Sequence, residues 1–152
     1  MLVSLRRAGA FSADESRGPE ATRGVSLRLS LAVAQSDIIL IIDDEPSVAD
    51  ALRLILVDRG HRVLVAATGR GGLELARRER VRLVITDLRL PDISGLEVLG
   101  ALAAEWPRLP VILITSHGTP ELSAEATSAG AAAVLSKPFP PAEIIRLVEG
   151  LN

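Results

Sequence analysis

The stretch IILIIDDEPSV (residues 38–48) decides how the rest of the chain is read. Five consecutive aliphatic residues run into three carboxylates, Asp43, Asp44 and Glu45. A continuous apolar run of this length reads as a strand covered on both faces, as in parallel sheets. Pro46 then suits the first position of a helix. The three acids are the anomaly. Two like charges at about 4 Å repel by about 1 kcal/mol in water and by about 4 at a protein-surface dielectric. A strand ending this way calls for a compensating positive charge.

Working outward, the same pattern recurs. SVADALRLILVDRG (47–60) carries Val48, Leu52, Ile55 and Leu56 at helical spacing, with Gly60 as a stop. HRVLVAA (61–67) reads as a second strand, GRGGLELARRER (69–80) as a second helix and VRLVITD (81–87) as a third strand that again ends on a carboxylate. LRLPDISG is a turn, LEVLGALAAEW (96–106) a helix, and Pro107 and Pro110 bracket the next break. VILITS (111–116), PELSAEATSAGA (120–131), AVLS (133–136) and PAEIIRLVEGL (141–151) complete five strand–helix alternations. Such alternation implies α/β architecture: a doubly wound five-stranded parallel sheet with five helices joined by right-handed crossovers.

Composition narrows the functional classes. Hydrophobic residues make up 48% of the 152-residue chain and aromatics 2%, so Leu, Val, Ile and Ala must fill the core. Nineteen acidic against seventeen basic residues give a formal charge of -2, which offers no electrostatic case for a nucleic-acid binder. With no cysteine, disulfides and thiolate metal sites are excluded. No apolar run approaches a membrane span of about 18 residues, and MLVSLRRAGAF has no continuous signal-peptide core; a cytoplasmic location is expected. GRGG (69–72) lacks the Lys–Ser/Thr of a phosphate-binding P-loop.

The start of the chain differs. Residues 12–24 are polar and rich in Gly and Pro, and VSLRLSLAV (25–33) alternates with a strand-like period of two. We read residues 1–36 as an N-terminal extension, disordered or accessory, and residues 37–152 as the folded domain.

Parallel sheets of this kind place their sites at the carboxyl ends of the strands. There the sequence sets Asp43 and Asp44, then Asp87, then Thr115 and Ser116, then Lys137 before Pro138. Singly, each has an ordinary explanation: helix-dipole acids, a turn aspartate, a capping hydroxyl, a solvated loop lysine. Together they suit phosphoryl chemistry. Asp43 and Asp44 offer hard oxygen ligands for Mg2+, and Asp87 is a carboxylate nucleophile able to form an acyl phosphate. Lys137 and Thr115 complete a set that stabilises charge on phosphoryl oxygens.

IIDDE, VITDLRLPDISG, LITS and SKPF, in this order and at intervals of 43, 28 and 22 residues, resemble the receiver domain of two-component response regulators. The resemblance implies a flavodoxin-like receiver fold with Asp87 as phosphoacceptor and Asp43 and Asp44 as the acidic pair. It further implies Asp87 and the backbone carbonyl of Arg89 among the metal ligands, Thr115 and Lys137 as the switch pair, and a cis Lys137–Pro138 peptide. Implied partners are a sensor histidine kinase or histidine phosphotransfer protein, a downstream protein target, and a second copy of the chain in a phosphorylation-dependent homodimer. With no DNA-binding or catalytic domain after the fifth helix, output is expected through protein–protein interaction. The resemblance also implies that Arg89 and His117, two positions beyond Asp87 and Thr115, border the site. One departure stands out: Val134 occupies the place where the family usually has Tyr or Phe, so an aromatic rotamer switch is absent. Two other classes compete with the single-domain regulator. An aspartate-nucleophile phosphohydrolase would place its nucleophile first in an Asp-x-Asp motif, which this order does not. A phosphorylation-independent binding module would lack site residues that are all present here.

Overall fold

The computed structural model describes residues 38–151, and the reading of residues 1–36 lies outside them. Ten elements alternate: β1 (Ile38–Ile42), α1 (Pro46–Asp58), β2 (Arg62–Ala66), α2 (Gly69–Arg78), β3 (Val81–Asp87), α3 (Gly95–Glu105), β4 (Val111–Thr115), α4 (Pro120–Ser128), β5 (Ala133–Ser136) and α5 (Pro141–Gly150). The strands form one sheet in the order β2-β1-β3-β4-β5, with every adjacent pair parallel.

Alternation along β1 explains the two layers. Ile39 and Ile41 face one core with Ile85, Ile112 and Ile114, closed by Leu52 and Leu56 of α1 and Ile144 and Val148 of α5. Leu40 and Ile42 face the other with Val84 and Leu113, closed by Leu73 of α2, Val98, Leu99 and Leu102 of α3, and Ala126 of α4. Every residue of β1 is buried, as expected of a central strand covered on both faces. Trp106 packs against the second core and Phe139 against the first.

Element ends follow local chemistry. Thr68 caps α2 by accepting the Gly71 N–H, and Ser94 with Glu97 forms a reciprocal capping box at α3. α1 closes at Gly60, whose φ of +91° favours glycine. α4 is shorter than the sequence pattern predicts, ending at Ser128 because Gly130 at φ +111° turns the chain towards β5. The β1–β3 register shifts between Ile38 and Ile39, leaving Arg82 as the extra residue of β3.

The strand order reverses at β1: α1 leads outward to β2, and α2 carries the chain back across to β3. That reversal opens a crevice beyond the carboxyl ends of β1 and β3. Asp43 follows β1 and Asp87 ends β3, so both carboxylates are delivered to this one place.

Candidate functional site: an acidic cleft at the sheet's carboxyl edge

Asp44, Glu45, Asp87, Leu88, Arg89, Thr115 and Ser116 line a cleft of about 240 Å³ at the switch point. Asp43, Asp44 and Asp87 each present a carboxylate oxygen within 4.8 Å of the others, with Asp43 and Asp87 buried and Asp44 exposed. Lys137 enters from beyond β5, with its Nζ 3.1 Å from Glu45 Oε1, 3.5 Å from Asp87 Oδ1 and 3.6 Å from Asp43 Oδ2. One ammonium therefore serves three carboxylates. The Lys137–Pro138 peptide is cis, as the resemblance implies.

Backbone donors orient the acids. Asp43 Oδ1 accepts the Glu45 N–H at 2.9 Å, and Asp87 Oδ1 accepts the Leu88 N–H at 3.0 Å. Thr115 Oγ1 accepts the His117 N–H at 3.0 Å. A hydroxyl that accepts in this way still has its own proton to donate. The ordinary capping roles read from the sequence are therefore present, and they aim these groups at the cleft rather than replacing its chemistry. Val134 of β5 lies beside Leu113 and is partly buried against the second core.

The electrostatics are those of a crowded anion site. Burial raises the Asp43 carboxyl above its ordinary value, against the opposing pull of the Glu45 N–H and Lys137. Burial raises Asp87 as well, and the neighbouring charge of Asp43 adds to it. Burial works against the charge of Lys137, but its hydrogen bond to Glu45 and the charges of Asp43 and Asp87 outweigh it, so its value rises. The donor set fits a small hard cation. It supplies three carboxylates, Asp43, Asp44 and Asp87, and Asp43 Oδ2 is buried without a hydrogen-bond partner. Magnesium takes one or two carboxylates and keeps several waters.

Two functional contacts escape the sequence reading. Glu45 carries the shortest link to Lys137 across 92 positions. Asp92, in the loop after β3, accepts the N–H groups of Gly69 and Arg70 at 2.9 Å each and so ties that loop to the start of α2. A signal for the second was available: α2 opens on Gly-Arg-Gly with no acid in its first turn, which leaves its positive end wanting an anion from elsewhere.

The Arg70 N–H is the main cause holding the Asp92 carboxyl down, to about 2, helped by the N–H groups of Gly69, Ile93 and Asp92 itself. A depressed carboxyl contributes stability above its unfolded value of about 3.9 and loses it as pH falls through the folded value. In urea denaturation, the stability difference between wild type and Asp92→Ala is expected to be flat above about pH 5 and to shrink towards pH 2. A difference independent of pH would remove the ionised carboxylate from the account.

Comparison with known proteins agrees with this geometry. Residues 39–149 match the family described as the Response regulator receiver domain. The Transcriptional regulatory protein KdpE of Mycobacterium tuberculosis is 42% identical over 102 residues, which is 67% of this chain and 45% of that protein. The chain thus spans about half the length of the curated transcriptional regulators it first matches. An uncharacterized 14.6 kDa protein of Leptolyngbya boryana is 38% identical over 120 residues, 77% of this chain and 90% of its own. Among solved structures, a CheY-like receiver domain protein from Methanospirillum hungatei is 33% identical, with a TM-score of 0.72 over 76% of this chain and 93% of its own. Sequence pattern, strand order and the acidic cleft lead to one conclusion: the chain belongs to the response regulator receiver domain family of two-component systems, signalling switches rather than dedicated enzymes.

Proposed function

We propose that this chain is a single-domain response regulator: a receiver spanning residues 37–152, preceded by an N-terminal extension, that is phosphorylated on Asp87 with Mg2+ bound and signals through a protein partner. The observation that carries this reading is the meeting of Asp43, Asp44 and Asp87 within 4.8 Å at the mouth of the sheet, with Lys137 Nζ 3.5 Å from Asp87.

Asp43, Asp44, Asp87 and the backbone carbonyl of Arg89 would hold the ion. When bound, magnesium supplies charge neutralisation on the oxygens of the transferring phosphoryl group. Asp87 supplies the nucleophile: a carboxylate oxygen bonds to phosphorus as the donor's phosphorus–nitrogen or phosphorus–oxygen bond breaks. The electron pair leaves with the donor, which takes a proton from solvent. Lys137 pairs with one phosphoryl oxygen, and the Thr115 hydroxyl donates to another. Arg89 lines the cleft and His117 donates its N–H to Thr115 Oγ1, positions from which both would bear on the approach of water to the acyl phosphate. Val134 offers no ring to swing, so the shift of the Thr115 hydroxyl is the step left for carrying the signal towards α4, β5 and α5.

The donor is a sensor histidine kinase or a histidine phosphotransfer protein in the cytoplasm. The output is phosphorylation-dependent binding of a protein target or of a second copy. The 90% coverage of the Leptolyngbya boryana protein supports a stand-alone receiver. A phosphoryl mimic tests the site. Beryllofluoride with magnesium is expected to form a saturable one-to-one complex, seen by fluorine NMR, that is lost in Asp87→Ala. A complex that persists in that variant would contradict the assignment.

A further inference from the structure

Lys137 has three carboxylates within reach and sits closest to one of them. Glu45 Oε1 accepts from its Nζ at 3.1 Å. Asp87 Oδ1 and Asp43 Oδ2 stand back at 3.5 and 3.6 Å, and Asp43 Oδ2 is left buried with no hydrogen-bond partner. Glu45 is also the most open of the three, its side chain 58% exposed against 2% for Asp43 and 8% for Asp87. It occupies the N-cap position of α1 yet makes no capping hydrogen bond with its side chain. Its carboxylate is directed instead to a lysine on the far side of the cleft.

On the reading of the site given above, we propose that Glu45 is a positioning residue: it seats Lys137 at the mouth of the cleft and keeps it off the Asp43 and Asp87 oxygens that take the divalent cation. An ammonium is a compact point charge on a flexible stem. Without the Glu45 carboxylate, the nearest seats for it are Asp43 Oδ2 and Asp87 Oδ1, each about half an ångström beyond hydrogen-bond length. A lysine that closed onto them would neutralise the acidic pair from within, and an entering cation would have to displace it. Glu45 offers a seat outside the metal ligands, so cation and lysine can share the cleft.

Glu45→Gln keeps the shape and removes the charge. Magnesium titrations followed by backbone amide shifts, in wild type, Glu45→Gln, Lys137→Met and the double variant, separate the two ways that charge could act. Glu45→Gln is expected to weaken magnesium binding about fivefold when Lys137 is present and by less than about twofold in the Lys137→Met background, as for directly coupled residues. In the metal-free protein, the Lys137 ammonium resonance, identified by its loss in Lys137→Met, is expected to shift in Glu45→Gln. Equal weakening in both backgrounds would show attraction through space and overturn the proposal, as would unchanged affinity in Glu45→Gln. Failure of wild type to bind magnesium would overturn the reading of the site together with the proposal; normal wild-type binding with either of the former results overturns the proposal alone.

Discussion

Replacing Gly95 by alanine is expected to cost about 3 kcal/mol and to lower the melting temperature by on the order of 10 °C. Gly95 opens α3 where that helix crosses the end of β3. A Cβ there would lie 2.3 Å from the Asp87 carbonyl oxygen and 2.8 Å from the Leu88 Cα. Both obstacles are backbone, so no side chain can rotate away. The Gly95 N–H also donates to Leu88 O at 2.7 Å, and this bond fixes how closely the helix sits. Relief requires α3 or the end of β3 to move, which displaces Asp87 itself. Gly100 of the same helix is the control. It is exposed with nothing within 4 Å of an added Cβ, so Gly100→Ala is expected to stabilise by about 0.5–1 kcal/mol. Urea denaturation of the two variants checks the pair, and a Gly95→Ala protein as stable as Gly100→Ala would contradict the close packing described.

Asp87→Asn is expected to stabilise the metal-free protein by about 1–2 kcal/mol at neutral pH, or about 3–8 °C, while abolishing phosphoryl uptake. Burial, joined by the charge of Asp43, raises the Asp87 carboxyl. A carboxyl whose folded value lies above its unfolded value holds its proton longer in the folded state. Stability then falls as pH rises through that interval and stays reduced above it. The gain from removing the charge is therefore largest at neutral pH and fades towards about pH 4. Magnesium should narrow the difference, because a ligand of the folded state stabilises wild type by mass action and the variant less. Thermal melts across pH, with and without magnesium, read both effects. A variant less stable than wild type at pH 7 without metal would show that the Lys137 pairing outweighs the crowding of the acids.

What the sequence makes legible here is what depends on short range. The unbroken apolar run of IILII and the acids at its end mark a buried strand and its charged edge, and right-handed crossovers leave few topologies for five alternating units. The five residues read as a site, Asp43, Asp44, Asp87, Thr115 and Lys137, all reach the same edge because each closes or follows a parallel strand. Arg89 lines the cleft together with Asp44, Asp87 and Thr115. The Glu45–Lys137 contact joins side chains 92 positions apart, and the Asp92 clamp joins a side chain to backbone N–H groups 22 and 23 positions away. No period or spacing encodes those. The register shift at Ile38 is likewise settled by the neighbouring strand, whereas the early end of α4 is set locally by Gly130 at φ +111°.

The central claim is that the acids at the end of this sheet are arranged to carry a phosphoryl group on Asp87. Intact mass after incubation with acetyl phosphate and magnesium tests it most directly. One added phosphoryl group, absent without magnesium and absent in Asp87→Ala, is the predicted result. An adduct of the same mass that survives Asp87→Ala, or one that forms equally well without magnesium, would contradict the account.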